Sequence, residues 1–192
     1  VCWGREKNIK QDYENLLWLW APQDEELYYP VEDEQDIKMS FLGSKDRRYR
    51  ERLYYLNFLN SNQIDYFAGG GQREQRLSPK EYADIMRRSK ISLNFPFCPS
   101  GFDQCKGRVW EILASKSLLF ERKNEATAGM LTAGVHYVEY TDPKDLIEKY
   151  NYYLDNEEER LRIAENGYKA YCEKYSAKSY WTKTMKGVGI NA

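Results

Sequence analysis

Two cations flank a glycine in Cys105-Lys106-Gly107-Arg108-Val109-Trp110-Glu111, at the point where a polar loop gives way to an apolar run. If a helix opens here, Lys106 and Arg108 add their charges to the positive end of its dipole and to the free N–H groups of its first turn. That combination suits a diphosphate. Glu111 then lies one turn further in, where a carboxylate can accept hydrogen bonds from two vicinal hydroxyls such as those of a ribose. The competing arrangement is an i, i+3 ion pair between Arg108 and Glu111 on an exposed face, worth roughly a few tenths of a kcal/mol. Against it, Glu111 stands among Trp110, Ile112 and Leu113, where an acid without a partner is costly.

Two earlier loops carry related chemistry. Gly43-Ser44 is followed by Lys45-Asp46-Arg47-Arg48-Tyr49-Arg50-Glu51-Arg52, so a glycine turn leads into a helix start crowded with guanidinium groups, Arg50 and Arg52 among them. Glycine admits an oxyanion close to the backbone and the helix start supplies N–H donors. The plainer reading is a tight turn with solvated arginines. Gly69-Gly70-Gly71-Gln72-Arg73 also allows close approach at Gly70, but it lacks the G-x-G-x-x-G spacing of a dinucleotide fold, and no Walker A sequence occurs. Cys2, Cys98, Cys105 and Cys172 are scattered without a C-x-x-C pair, and His136 is the only histidine, so zinc sets and Ser-His or Cys-His machinery lack their parts. His136 reads as structural.

For these loops to meet, they must leave the same edge of one sheet. IKMSFL, IDYFA, ISLNF, SLLFE and VHYVEY are short strand-like runs alternating with helical stretches, which implies a parallel sheet. Leu53, Leu56 and Leu59 or Asn60 recur at helical spacing, and Ser78-Pro79-Lys80-Glu81 reads as a capping box with proline at the first helical position, leaving Tyr82, Ile85 and Met86 facing inward. Val109, Ile112 and Leu113 mark a helix from about Lys106 to Lys116; Asp142-Pro143 opens another with Leu146, Ile147, Tyr150, Tyr153 and Leu154 on one stripe. Asn156 opens a last helix whose core face is read as Leu161, Ala164, Tyr168, Tyr171, Cys172 and Tyr175. The expected class is α/β: a Rossmann-like, doubly wound, mainly parallel sheet with a helical C-terminus. Such sheets bind ligands beyond the carboxyl ends of their strands, where all three loops fall.

Within 192 residues, residues 1–34 read as a lead-in strand around Leu16–Trp20 followed by an acidic connector, residues 35–170 as the sheet domain, and residues 171–192 as a helical tail. The chain begins at Val1 with no start signal, as an excised piece of a longer polypeptide would. A single core at this length buries roughly 70% of the unfolded surface, so disulfides are optional and a reducing, cytoplasmic setting fits. With 29 Lys and Arg against 30 Asp and Glu, nucleic acid is a poor partner, and single-strand binding through Arg47, Arg48, Arg50 and nearby tyrosines is only a third reading. No apolar run reaches the ~20 residues of a bilayer span.

The ordered set SFLGS with its arginine-rich helix, SPKEYADIMRRSKISLNF, KGRVWEILASKSLLFE, VHYVEYTDPKDLIEKYNYYL and IAENGYKAYCEKY resembles the C-terminal, nucleotide-sugar-binding half of GT-B-type glycosyltransferases, most closely the CgeB-like branch of the group 1 transferases. The likeness spans roughly Trp18 to Tyr175. It implies transfer of a sugar from a nucleoside diphosphate sugar, UDP foremost, to a carbohydrate or lipid-linked acceptor, without a metal or other cofactor. In that family an acidic residue and a glutamate bracket seven residues, and the second contacts the donor's ribose; Asp103 and Glu111 stand at this spacing, Asp103 replacing the usual glutamate. Arg108 and Lys106 would hold the diphosphate, with Gly107 between them and the Gly43-Ser44 turn against the phosphates. Asp103 is the candidate base, and an acceptor-binding domain is expected elsewhere in the same polypeptide. Lys116 stands where relatives carry glycine. A noncatalytic binding module, using some of the 17 tyrosines for partner contacts, is the rival reading.

Overall fold

The computed structural model of the chain describes residues 2–3, 18–31, 35–70, 76–99 and 101–189. A short parallel pair, β1 (Cys2–Trp3) and β2 (Trp18–Leu19), precedes the central sheet. That sheet contains β3 (Ile37–Leu42), β4 (Phe67–Gly69), β5 (Ser89–Asn94), β8 (Leu118–Arg122) and β9 (Val138–Tyr140), all parallel, in the order β4-β3-β5-β8-β9. Of the run IDYFA only its end pairs, and Ile64 and Tyr66 pack on the core as the approach to β4. Between β5 and β8 an antiparallel hairpin, β6 (Phe97–Cys98) and β7 (Phe102–Asp103), occupies a stretch that the sequence reads as loop.

The strands read as near-continuous apolar runs because both faces are covered. Met39, Phe41, Ile91, Leu93, Leu118 and Phe120 pack against Tyr55, Leu56 and Leu59 of α1 (Arg50–Ser61) and Leu146 and Tyr150 of α5 (Pro143–Asp155). On the opposite face Leu42 and Leu119 meet Met86 of α2 (Pro79–Arg87) and the apolar side of α3 (Gly107–Ala114). The Ser78–Glu81 capping box and the Asp142 cap form as the sequence indicates. A one-turn helix, α4 (Glu125–Ala128), follows β8.

The C-terminal helices correct one expectation. In α6 (Glu157–Ala170) the buried face is Arg160, Ile163, Ala164, Gly167 and Ala170, while Leu161 and Cys172 are exposed. The reason is Gly167: a Cβ there would stand 2.6 Å from the carbonyl oxygen of His136 and 2.8 Å from Leu113, so the helix turns its smallest residue to the closest approach and the stripe shifts round. A widened turn over Tyr171–Tyr175 leads to α7 (Ala177–Gly187), and Trp20 from the lead-in packs edge-on against Tyr175 and Tyr180. Leu16, Leu17, the acidic residues Glu32, Asp33 and Glu34, and Gly71-Gln72-Arg73 lie outside the described residues. Among the described residues no helix is long and apolar enough to cross a membrane.

Chain order reverses between β3 and β5, because β3 leads out to β4 at one edge and the chain then returns to β5 on its other side. The crevice at the carboxyl ends of β3 and β5 is the switch point where such sheets take ligands.

Candidate functional site

α3 begins at that switch point. Lys106 is its N-cap but gives no side-chain cap, which leaves first-turn N–H groups without a side-chain acceptor. Arg108 lies across the strand ends: its Nη1 donates to Asn94 Oδ1 at 2.9 Å, its Nε donates to the Tyr82 hydroxyl at 3.2 Å, and the guanidinium stands 5.6 Å from the Phe41 ring centre. Burial opposes its charge, but Tyr82, Glu111 and Glu121 outweigh that and raise its pKa. Gly43 is needed here for space, since a Cβ would come within 2.7 Å of Arg108 Nη2 and 3.0 Å of Phe41. The β3 turn and the α3 cation thus form one wall.

Arg52 and Lys106 complete a cationic group. Arg52, only 4% exposed, donates to the Ser44 carbonyl and stacks 4.0 Å from the Tyr49 ring centre and 5.2 Å from that of Phe41. Burial, then the charge of Arg108, pulls its pKa down to about 10. Lys106 Nζ donates to the Phe97 carbonyl at 2.8 Å, and burial with the charge of Arg52 lowers its pKa to about 8. The remaining arginines of the first loop behave differently: Arg47 and Arg50 are exposed, and Arg48 pairs with Asp46 at 2.9 Å. Only Arg52 turns inward, because α1 has its buried face at positions 52, 55, 56 and 59.

Glu111 is partly buried and makes no ion pair with Arg108; the Tyr82 hydroxyl donates to its Oε2 at 3.0 Å. Burial raises its pKa, against the opposing effects of Arg108 and Tyr82. Tyr28 from the lead-in carries a raised pKa from burial first and the nearby Glu111 charge second. Gln23 reaches the Gly107 carbonyl at 3.3 Å, and a Cβ on Gly107 would touch Ala21 at 3.5 Å, so the lead-in segment runs past the start of α3. Gly70, at φ +89°, packs against the Tyr82 ring.

Sequence reading missed four polar residues beneath this surface. Asn94 and Glu121 are cross-strand neighbours at the ends of β5 and β8, both fully buried, and Asn94 Nδ2 donates to Glu121 Oε2 at 2.7 Å. Asn124 and Thr127 donate to the other oxygen of Glu121, whose pKa burial raises to about 7. The available signal was a polar residue directly after the apolar part of each strand, Asn94 after Leu93 and Glu121 after Phe120. Tyr82 was read only as a core position, and Arg122 not at all. Asp103, on β7, has its Oδ1 held by Arg122 at 2.5 Å, and Arg122 also meets Glu51 at 3.0 Å. Burial raises the pKa of Glu51. His136 lies at the amino end of β9, away from these loops, with its Nδ1 accepting the Thr132 N–H at 3.0 Å.

A family model described as glycosyl transferase-like matches residues 21–186. The chain belongs to that glycosyl transferase-like family. The family likeness extends to solved structures. The C-terminal domain of the group 1 glycosyl transferase LpcC from Francisella tularensis is similar over 81% of this chain and 99% of that domain, at TM-score 0.58 and 14% identity. Anabaena HepE, solved with UDP and glucose, aligns with 90% of this chain and 56% of its own at TM-score 0.72 and 8% identity. Sucrose-phosphate synthase from Thermosynechococcus elongatus aligns with 88% of this chain and 51% of its own at TM-score 0.71 and 10% identity. The chain therefore spans about half the length of those last two structures and corresponds to the Rossmann-like half of a GT-B fold. No curated protein sequence matches it.

Proposed function

We propose that this chain is the donor-binding half of a glycosyltransferase that moves a sugar from a nucleoside diphosphate sugar, UDP-linked, to a carbohydrate or lipid-linked acceptor. One observation carries the reading: Arg52, Lys106 and Arg108 converge at the sheet's switch point, and the groups to which their side chains donate are neutral. Buried or half-buried charge held that way is offset best by an anion arriving from outside. As the sugar–phosphate bond breaks, negative charge grows on the leaving diphosphate, and cations already fixed around it stabilise the transition state more than the ground state. Lys106, Arg108 and the N–H groups opening α3 do this without a metal. Glu111 takes the ribose hydroxyls, with Gly43, Ser44, Arg50, Gly70 and Gly107 lining the approach.

Asp103 is the candidate general base, its Oδ2 facing an acceptor hydroxyl while Arg122 holds Oδ1. The similar Anabaena HepE, solved with UDP and glucose, supports the choice of nucleotide. Residues 35–170 form the donor unit, the acceptor site belongs to a further domain of the same polypeptide, and the branch is the CgeB-like one, working in the cytoplasm. A thermal-shift panel of UDP, GDP, dTDP and their sugars tests this. A ligand at 100 times its Kd adds about 2.7 kcal/mol, or roughly 5–10 °C for a domain of this size. A flat panel removes the reading; a shift without donor hydrolysis or transfer in the longer polypeptide leaves a noncatalytic binding module.

A further inference from the structure

We infer that Tyr82 is a positioning residue for the nucleoside diphosphate: its hydroxyl stands between the guanidinium of Arg108 and the carboxylate of Glu111, and keeps each ionic group available to a different part of the ligand. The inference rests on the donor reading above.

Arg108 and Glu111 are three residues apart on α3, the spacing at which a cation and an acid ordinarily close into a direct pair. Here no ion pair joins them. Arg108 can only donate and an ionised Glu111 can only accept, so the polarity of the chain is fixed: Nε–H donates to the phenol oxygen at 3.2 Å, and the phenol O–H donates to Glu111 Oε2 at 3.0 Å. The other acceptor in reach of that hydroxyl, the Leu42 carbonyl, is further away at 3.4 Å. Asn94 takes Arg108 Nη1 at 2.9 Å, and Glu121 holds Asn94 in turn. Each ionic group is left one face: Nη2 of Arg108, lying over Gly43, and Oε1 of Glu111. A direct pair would consume both.

The phenol ring is itself held. It projects from α2, which the Ser78–Glu81 box anchors, and it packs 3.4 Å from the place a Cβ would occupy on Gly70. Gly70 has φ +89°, so a side chain there meets both the ring and a backbone strain. The groups facing Glu111 are Arg108 from its own helix, Tyr82 from α2 and Tyr28 from the lead-in.

Tyr82→Phe keeps the ring and deletes the hydroxyl. Affinities of wild type, Tyr82→Phe, Glu111→Gln and the double variant for UDP and 2′-deoxy-UDP, with melting temperatures, make the test. The expected result is a UDP affinity lowered roughly tenfold or more in Tyr82→Phe, a preference for UDP over 2′-deoxy-UDP falling toward one, and no further fall when Tyr82→Phe is added to Glu111→Gln. Equal weakening toward both nucleotides, or additive effects in the double variant, would overturn the positioning role while leaving the donor reading intact. Wild-type protein that binds no nucleoside diphosphate would instead overturn the donor reading and this inference with it.

Discussion

The two ends of the central sheet handle positive charge in opposite ways. At the amino ends, each prominent cation has an acid: Arg160, 2% exposed, bonds Gln35 and Glu157, Arg88 bridges Asp36 and Asp84, Arg87 meets Asp84, and Lys116 meets Glu165. At the carboxyl ends, Arg52 and Lys106 rest on carbonyls and a tyrosine ring, and Arg108 on Asn94 and Tyr82. Arg122 is the exception there, shared between Glu51 and Asp103. At one end the cations meet acids directly; at the other, burial opposes the charges of Arg52 and Lys106 and so favours an incoming anion, while Glu111 and Glu121 support the charge of Arg108 through space.

The largest expected effect breaks the carboxyl end outright. Arg108→Ala removes the cation that both strand ends and α3 hold in place, and UDP affinity should fall roughly 100-fold, with circular dichroism unchanged. Unaltered affinity would detach the cation from the ligand. Next comes a paired test of the contrast itself. Arg52→Met substitutes an apolar chain for a buried cation without an acid, and should change unfolding free energy by no more than about 1 kcal/mol while lowering UDP affinity. Arg160→Met leaves Gln35 and Glu157 without their donor, and should cost about 1–2 kcal/mol with UDP affinity untouched. Urea denaturation and calorimetry of both variants decide it; a reversed order would mean that the two ends are not different in kind.

A smaller effect follows from Lys106, whose pKa lies near 8, below that of a free lysine. Between about 8 and about 10.4 the unfolded chain holds more protons at this site, so its contribution to stability rises with pH across that window and is flat below it. The ligand responds in the opposite sense. Diphosphate prefers the charged amine, so UDP affinity should fall as pH rises through about 8, by at most about tenfold per unit. Lys106→Met should abolish that slope in a pH series of titrations. The smallest effect sits at the amino end: Lys116 has φ +55°, which explains the glycine expected from the family likeness. Lys116→Gly should raise stability by about 1 kcal/mol and the melting temperature by about 2–4 °C, with UDP binding unaltered.

Much of the scaffold was legible in the residues themselves. Alternating apolar runs and helical stripes gave the parallel sheet, Ser78-Pro79 and Asp142-Pro143 gave two helix starts, and the Gly43, Gly70 and Lys106–Glu111 loops do gather at one edge. What stayed hidden depends on three-dimensional neighbours. Nothing in the spacing of Arg47, Arg48, Arg50 and Arg52 says that only the last turns inward; that is set by the rotation of α1 on the sheet. Asn94 and Glu121 are 27 positions apart and meet only through strand register. The face of α6 turned away from Leu161 because Gly167 can approach a backbone carbonyl, a contact that periodicity does not encode.

The most direct test is a crystal structure of the protein with saturating UDP. The expected density places the diphosphate within hydrogen-bond reach of Arg108 Nη2 and Lys106 Nζ, with the ribose hydroxyls on Glu111. Nucleotide bound elsewhere on the molecule, or an empty carboxyl-end crevice at that concentration, would contradict the assignment of this end of the sheet to the donor.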